Sequence, residues 1–258
     1  MDKITIPDTF PNLPASVQKI QKLFVSNNIE IAKLVSLLES EPFLAANILK
    51  LVNSPYYGLT AKVSSISTAV TLLGTTVMRG IILATILKKS FPVDLSAYGI
   101  SVEEFETISV LRAKLLKEWL KDANIDMQTL LLGAFLMESG KIIMAHETVK
   151  NGCTKEFIAM RQNTSDIEAE KMLFGIESYG VASLLFRQWL FDDAFCTLVG
   201  DVATAKNDDS KILHALQMVI NTKNIFDKDD IAKAKEFLDM NGLYGDKFLQ
   251  SVEKIKNI

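Results

Sequence analysis

Apolar side chains recur at helical spacing along almost the whole chain, and no segment alternates convincingly between apolar and polar residues. A period near 3.6 residues is that of a helix with one buried face, whereas a half-buried strand requires a period of two. Only 12 glycines and 6 prolines interrupt the 258 residues, and this composition also favours helices. The sequence therefore predicts an all-α, compact, multi-helix globule with short links between its helices.

Capping signals place the ends of the predicted helices. The predicted N-caps are Asn28, Ser101, Asp126, Ser165, Ser178, Asp192 and Ser210. Ser101 and Ser165 are each followed three positions later by a glutamate, which is the pattern of a capping box. Pro42 is placed to start a helix of its own. After Asp126 the apolar pattern predicts one long helix that holds Glu138.

The composition narrows the class of protein. With a formal net charge of -3, the chain lacks the excess of basic residues that is typical of nucleic-acid-binding proteins. The N-terminal residues carry no apolar segment of a secretory signal. The most apolar uninterrupted run, Met127 to Met137, is 11 residues long, whereas a bilayer-spanning helix needs about 20. Cys153 and Cys196 lack metal-type spacing and indicate reduced thiols. We therefore expect a cytoplasmic protein that neither binds nucleic acid nor inserts into a membrane.

Two groups of motifs resemble a known family. The first group reads Pro11-Asn12-Leu13-Pro14, then Leu51-Val52-Asn53-Ser54-Pro55-Tyr56-Tyr57-Gly58, then Ile66, then Leu72-Leu73-Gly74. The second reads Ala134-Phe135-Leu136-Met137-Glu138-Ser139-Gly140-Lys141. In order and spacing they resemble the HDOD family, the HD-related output domain of bacterial signalling proteins, which belongs to the HD superfamily.

The resemblance also implies a domain organisation. It covers residues 8–205, which we expect to form an HDOD-like helical domain. Within it we expect an N-terminal layer at about 1–90 and a core bundle at about 100–205, with a boundary in the segment 91–100 that contains helix-breaking residues. Residues 206–258 are expected to form a helical C-terminal extension packed on or next to this domain.

Enzymes of the HD superfamily hold a divalent metal with His and Asp side chains, and the metal acidifies a bound water for attack on phosphate. The resemblance implies that Met137 stands in place of the motif's His and Glu138 in place of its Asp. Further family histidines would fall near Arg112, Ser178 and Val202-Ala203. The two histidines of the chain, His146 and His214, have no second ligand three or four positions away and are expected at the surface or half-buried. We therefore expect no metal ligands, no catalytic residues and no cofactor, while an all-carboxylate Mg²⁺ site stays open.

Glu138 is a carboxylate that follows a long stretch of uncharged residues, so we expect it to be partly buried. A buried charge is costly unless it is paired. One interpretation is a structural ion pair with Lys141, which lies three positions later on the same helical face. The other is a vestigial polar pocket formed by Glu138, Lys141 and Met137, which binds a ligand or raises the carboxylate pKa.

A second candidate site is the turn that begins at Asn53. The side chains of Asn53 and Ser54 are expected to cap the broken helix end and satisfy turn amides. The aromatic pair that follows either packs the turn or forms a binding platform, and loops on rigid scaffolds often carry partner contacts. The remaining candidates for this partner site are Tyr56, Tyr57, Gly58 and Arg79. Arg79 matches a basic position of the family, and its default interpretation is a solvated helix charge.

These observations favour a non-catalytic bacterial signal-transduction or regulatory module that acts through contacts with other signalling proteins in trans. Family analogy extends this expectation to environmental response or motility control. Two alternatives stay open: a metal-dependent phosphohydrolase or phosphodiesterase with an unusual carboxylate site, and a small-ligand or nucleotide sensor that uses the vestigial pocket. The amphipathic segments 229–240 and 246–256 also leave self-association into a homo-oligomer open.

Overall fold

The computed structural model describes residues 3–7, 10, 12–25, 29–53, 62–90 and 93–256. The helices are α1 Ala15–Val25, α2 Ile31–Glu39, α3 Pro42–Val52, α4 Ile66–Ser90, α5 Val102–Trp119, α6 Met127–Leu136 and α7 Gly140–Lys150. They continue with α8 Thr154–Asn163, α9 Asp166–Phe174, α10 Ser178–Gln188, α11 Asp193–Gly200, α12 Asp208–Val219, α13 Lys228–Met240 and α14 Gly245–Lys256. Among the described residues, extended pairing is limited to an isolated antiparallel bridge between Ile220 and Ile225. The predicted all-α fold is confirmed.

The chain divides into two compact units. One consists of Pro11–Ser90, and the other combines Met1–Phe10 with Phe91–Ile258. The division falls at the start of the segment 91–100. The extents of 8–205 for the HDOD domain and 206–258 for the extension stay a prediction.

The Pro11–Ser90 unit contains helices α1 to α4. Helix α3 packs along α4, and α2 packs against both. Because Pro42 is the first residue of α3, its missing amide hydrogen costs no hydrogen bond. Helix α2 begins at Ile31 with Glu30 at the N-cap, and the predicted cap Asn28 lies outside the described residues. The predicted start at Pro42 is thus confirmed.

Helix α4 contains a sharp break at Gly74. This residue has φ 78° and ψ 164°, a backbone conformation that glycine adopts without a steric penalty. The chain is helical on both sides of this break, from Ile66 to Ser90. Within the described residues, one helical stretch, Ile66–Lys89, has the length and apolar composition to cross a membrane, and half of its most apolar part is buried within the protein.

The second unit is built from neighbouring helix pairs. The main pairs are α5 with α6, α10 with α11, α12 with α13, α5 with α14, and α7 with α10. The N-terminal segment belongs to this unit and is held by a backbone hydrogen bond, in which the Ile4 amide donates to the Leu173 carbonyl at 2.8 Å. The helices α12 and α14 both pack on α5, so the C-terminal helices share its core.

Most predicted caps are confirmed. Complete capping boxes begin α5 at Ser101 and α9 at Ser165, and the carboxylates of Asp126 and Asp192 cap α6 and α11. Two predicted N-caps are wrong. Ser178 is the first helical residue behind Glu177, and Ser210 is the third residue of α12, where its hydroxyl completes a capping box begun by Asn207.

The predicted long helix through Glu138 is also wrong. Helix α6 ends at Leu136 and α7 begins at Gly140, with a tight turn between them. Within this turn the Ser139 amide donates to Leu136 and the Lys141 amide donates to Glu138, both three residues back. Such tightening is common at helix ends. The break places Glu138 at the junction of two buried helices.

Candidate functional site

Gly140 fixes the position of the α6–α7 turn. A Cβ atom built on Gly140 would lie 1.9 Å from the carbonyl oxygen of Ser178 and 3.0 Å from the amide nitrogen of Ala182. Only glycine permits the backbones of α7 and α10 to approach so closely. The Gly-Lys pair of the motif therefore sets Lys141 and the start of α10 side by side.

Glu138 is 2% exposed and pairs with two cations. Its Oε2 atom lies 2.9 Å from Nη2 of Arg112, which projects from α5 and is itself 1% exposed. Its Oε1 atom lies 3.7 Å from Nζ of Lys141. Glu138 was expected to be partly buried and is almost completely buried, and the ion pair with Lys141, one of its two interpretations, is present. The pairing with Arg112 was not predicted.

Lys141 lies where three carboxylates converge. Its Nζ atom is 2.9 Å from Oδ2 of Asp166 and 3.1 Å from Oε1 of Glu170, in addition to the Glu138 contact. Asp166 and Glu170 lie one turn apart on α9, so both carboxylates face the same way. The backbone amide of Ser178 also donates to Glu170, over 2.7 Å to Oε2.

A second arginine closes the arrangement from α8. The Nε atom of Arg161 donates to Oδ1 of Asp166 at 2.8 Å, and its Nη1 atom donates to the Ala97 carbonyl at 3.0 Å. The hydroxyl of Thr222 donates to Asp166 and accepts from Arg161. We call Arg112, Glu138, Lys141, Arg161, Asp166 and Glu170 the ionic cluster. With three acids and three bases, its formal charge is zero.

The segment after α12 is tied to the ionic cluster. Besides the Thr222 contacts, the Nε atom of Arg112 donates to the Ile220 carbonyl at 2.7 Å. Nζ of Lys223 donates to the Thr164 carbonyl at 2.6 Å. Residues from the predicted C-terminal extension therefore supply hydrogen-bond partners to both buried arginines.

Electrostatics stabilise the charged forms of two cluster residues. Burial disfavours the ammonium of Lys141, but the surrounding carboxylates, chiefly Asp166 and Glu170, outweigh it and raise the pKa of Lys141. Burial also disfavours the carboxylate of Asp166, but Lys141 and Arg161 outweigh it and hold the pKa of Asp166 well below its usual range. Both groups are therefore charged at neutral pH.

Burial raises the pKa of both Glu170 and Tyr98, which favours their protonated forms. Burial dominates at Glu170 and raises its pKa, although Lys141 and the Ser178 amide stabilise its carboxylate. The Tyr98 hydroxyl donates to Oε1 of Glu170 at 3.0 Å, and Lys141 Nζ lies 4.5 Å from the centre of the Tyr98 ring. Burial and the charge of Glu170 raise the pKa of Tyr98 well above 10.0, so the phenol stays a hydrogen-bond donor.

The ionic cluster does not fit a divalent metal. The point at which its carboxylates converge is already taken by the ammonium of Lys141, and Glu138 also faces the guanidinium of Arg112. Among the residues that the structure describes, no group of three or more His, Cys, Asp or Glu side chains is arranged to hold a metal ion. The two histidines are half-buried, as predicted, and His214 Nδ1 lies 2.9 Å from the Val202 carbonyl.

The second candidate site is only partly described. Asn53 caps the end of α3, because its Nδ2 donates to the carbonyls of Leu49 and Val63 at 2.7 Å and its Oδ1 accepts from the Val63 amide at 2.8 Å. This confirms the capping role predicted for Asn53. The other turn candidates, Ser54, Tyr56, Tyr57 and Gly58, lie outside the described residues.

Arg79 is not the solvated charge that was its default interpretation. It is partly buried, its Nε donates to Oε1 of Gln21 at 3.4 Å, and its guanidinium lies 5.7 Å from the centre of the Phe24 ring. A helix residue that faces a neighbouring helix is held by packing as well as by charge. Arg79 therefore joins α4 to α1 within the Pro11–Ser90 unit.

Solved structures show the same fold. The chain is similar to a virulence factor from Campylobacter jejuni subsp. jejuni, with 25% identity, a TM-score of 0.57, and coverage of 95% of this chain and 90% of that chain. It is similar to a candidate phosphohydrolase from Shewanella amazonensis SB2B, with 18% identity, a TM-score of 0.74, and coverage of 96% of this chain and 90% of that chain. It is also similar to a candidate signal transduction protein from Marinobacter aquaeolei VT8, with 18% identity, a TM-score of 0.71, and coverage of 100% of this chain and 59% of that one.

These structural likenesses show the class of fold, which is the helical fold shared with these proteins. The family follows from sequence. The HDOD domain family model matches residues 10–204, well over half of the chain, and the protein belongs to the HDOD domain family. Comparison with curated proteins gave no significant match.

Proposed function

We propose that this protein is a non-catalytic signal-transduction module that acts through contacts with other signalling proteins. The observation that carries the proposal is the pairing of every acid in the ionic cluster with a buried base. A carboxylate that neutralises a fixed cation is not free to bind a metal or to activate water. The position at which the resemblance places metal chemistry is thus occupied by a structural element.

The family context supports the signalling half of the proposal. One structurally similar protein is named for signal transduction, and the HDOD domain is by its name an output domain. A domain that transmits a signal without catalysis must bind a partner through its surface. We propose that this partner is another protein and that the contact occurs in the cytoplasm of a bacterial cell. The turn that starts at Asn53 is one candidate contact.

The alternative function is a metal-dependent phosphohydrolase, the activity for which the Shewanella protein is named. We would measure metal content by elemental mass spectrometry on protein purified without chelator, for the wild type and for Glu138→Gln. Both proteins would then be assayed on nucleotide and phosphodiester substrates with added Mg²⁺ or Mn²⁺. We expect no stoichiometric metal and no turnover in either protein.

Stoichiometric metal or turnover in the wild type that is lost in Glu138→Gln would overturn the proposal. Lys150→Met is the matched control, because the Lys150 side chain is 62% exposed and pairs with Glu147, which is not part of the ionic cluster. A third outcome, thermal stabilisation by a nucleotide without turnover, would favour the sensor alternative, since a ligand of the native state stabilises it by mass action.

A further inference from the structure

Unpartnered polar atoms concentrate at one end of the ionic cluster. Among the described residues, five buried side-chain nitrogen or oxygen atoms lack a hydrogen bond. Four of them are Nη2 of Arg112, both carboxylate oxygens of Glu138 and Oγ of Ser178, and the fifth is Nε2 of Gln21. The three residues that carry the four atoms are at most 2% exposed. Buried polar groups in folded proteins are nearly always hydrogen-bonded, so these four atoms need an account.

The residues that carry these atoms lie on elements that meet at the α6–α7 turn. Arg112 Nη2 lies 2.9 Å from Glu138 Oε2, close enough for an ion pair, although the angles do not form a hydrogen bond. Ser178 packs its backbone carbonyl against Gly140, two residues after Glu138, and its amide binds Glu170. Ser178 is therefore held beside the α6–α7 turn with its hydroxyl uncommitted.

The chemistry of the four atoms selects the species that satisfies them. The carboxylate of Glu138 requires donors, the Arg112 nitrogen requires an acceptor, and the Ser178 hydroxyl serves as either. The formal charge of the ionic cluster is already zero, so a further ion of either sign would unbalance it. A small neutral molecule that both donates and accepts meets all of these requirements, and water is the molecule that buried polar sites of proteins use in this way.

We propose that an ordered, buried water molecule bridges the Glu138 carboxylate, the Arg112 guanidinium and the Ser178 hydroxyl. This water is an integral part of the cluster and completes the hydrogen bonds that the ion pair leaves open. It gives Ser178 a defined task, which its position as the first residue of α10 does not explain, because the hydroxyl caps no amide there.

The direct experiment is a crystal structure of the full chain at high resolution. We expect a solvent peak within about 3.2 Å of both Glu138 and Arg112 Nη2, and within the same distance of Ser178 Oγ. A direct hydrogen bond between Arg112 and Glu138, with no solvent peak at the three side chains, would overturn the proposal.

Replacement of Ser178 by alanine gives an independent test in solution. The change in unfolding midpoint has opposite signs for a hydroxyl that binds the water and for one that has no partner. If the hydroxyl binds the water, Ser178→Ala weakens that water's coordination, and the urea midpoint of unfolding falls. If the hydroxyl is unsatisfied, its removal leaves the midpoint unchanged or raises it, and the proposal is wrong. The matched control is Ser109→Ala, a buried serine whose hydroxyl donates to the Phe105 carbonyl at 3.2 Å within its own helix.

Discussion

Replacement of Lys141 by methionine is the sharpest perturbation of the ionic cluster. Methionine keeps the approximate length and apolar stem of lysine but removes the ammonium on which three carboxylates converge. Removal of one partner from a buried ion pair leaves uncompensated charge and costs about 3–5 kcal/mol. Because domains are stable by only about 5–15 kcal/mol, this loss is a large part of the free energy of unfolding.

The assay is urea unfolding followed by circular dichroism, for the wild type, Lys141→Met and Lys150→Met. Lys150 lies on the same helix and pairs with Glu147 at 3.3 Å, but its side chain is 62% exposed. Glu147 is buried, but the Lys150 ammonium stays largely in water, so its loss should cost only about 1 kcal/mol. A loss for Lys141→Met no larger than that for Lys150→Met would refute the argument that the ammonium neutralises the buried carboxylates.

The same variant should show a changed dependence of stability on pH. The folded pKa of Asp166 is held below its ordinary value of 3.8, so its stabilising contribution is present above that value and is lost as the pH falls. Lys141 makes the largest single contribution to lowering the pKa of Asp166, and in its absence Asp166 and Glu170 gain by protonation. We expect the stability gap between the wild type and Lys141→Met to narrow as the pH falls towards about 4. A gap that is constant from neutral pH to about pH 4 would contradict this.

Two further variants test the backbone. Gly140→Ala should cost about 3 kcal/mol or more in urea unfolding, because its Cβ would lie 1.9 Å from the Ser178 carbonyl and the α7–α10 contact must open; a cost below about 1 kcal/mol would contradict the close approach. Leu190→Gly should raise the unfolding free energy by about 0.5–1 kcal/mol, because Leu190 has φ 59° with a side chain 83% exposed, and a decrease would contradict the strain.

Much of the fold could be predicted because it depends on local signals. The capping boxes at Ser101 and Ser165 require only two side chains three positions apart, so their chemistry is complete within the sequence. The same local reasoning failed at Ser178 and Ser210. A serine at a helix start can be the cap or a residue of the first turn, and the choice depends on the neighbouring Glu177 or Asn207.

The long helix predicted through Glu138 failed for a different reason. Hydrophobic periodicity continues across the α6–α7 turn, because both helices are buried and the turn keeps helical dihedral angles at Met137 and Ser139. The requirement for glycine at position 140 also lies on another helix, at the Ser178 carbonyl that Gly140 approaches. Sequence spacing contains no trace of that distant contact.

Only two of the six residues of the ionic cluster could be predicted from the sequence. Glu138 and Lys141 are neighbours on the chain, and their pairing follows from helical geometry. The acids of α9 also lie in a sequence pattern that predicts their burial. Asp166, Ala169, Glu170 and Leu173 follow the helical spacing of a buried face, and all four are buried. Two acids on such a face predict buried bases elsewhere, although the sequence does not say which ones.

The zero net charge of the cluster also bears on why it is present. Buried ion pairs are often no more stabilising than apolar residues of the same size, so stability alone does not account for six buried charges. What they provide is geometry, since each charge must meet its partner at a fixed distance. The cluster joins α5, α7, α8 and α9, and Thr222 bonds to both Arg161 and Asp166. For the function proposed above, contact with a partner protein, this interior would hold the helices beneath the contact surface in fixed register.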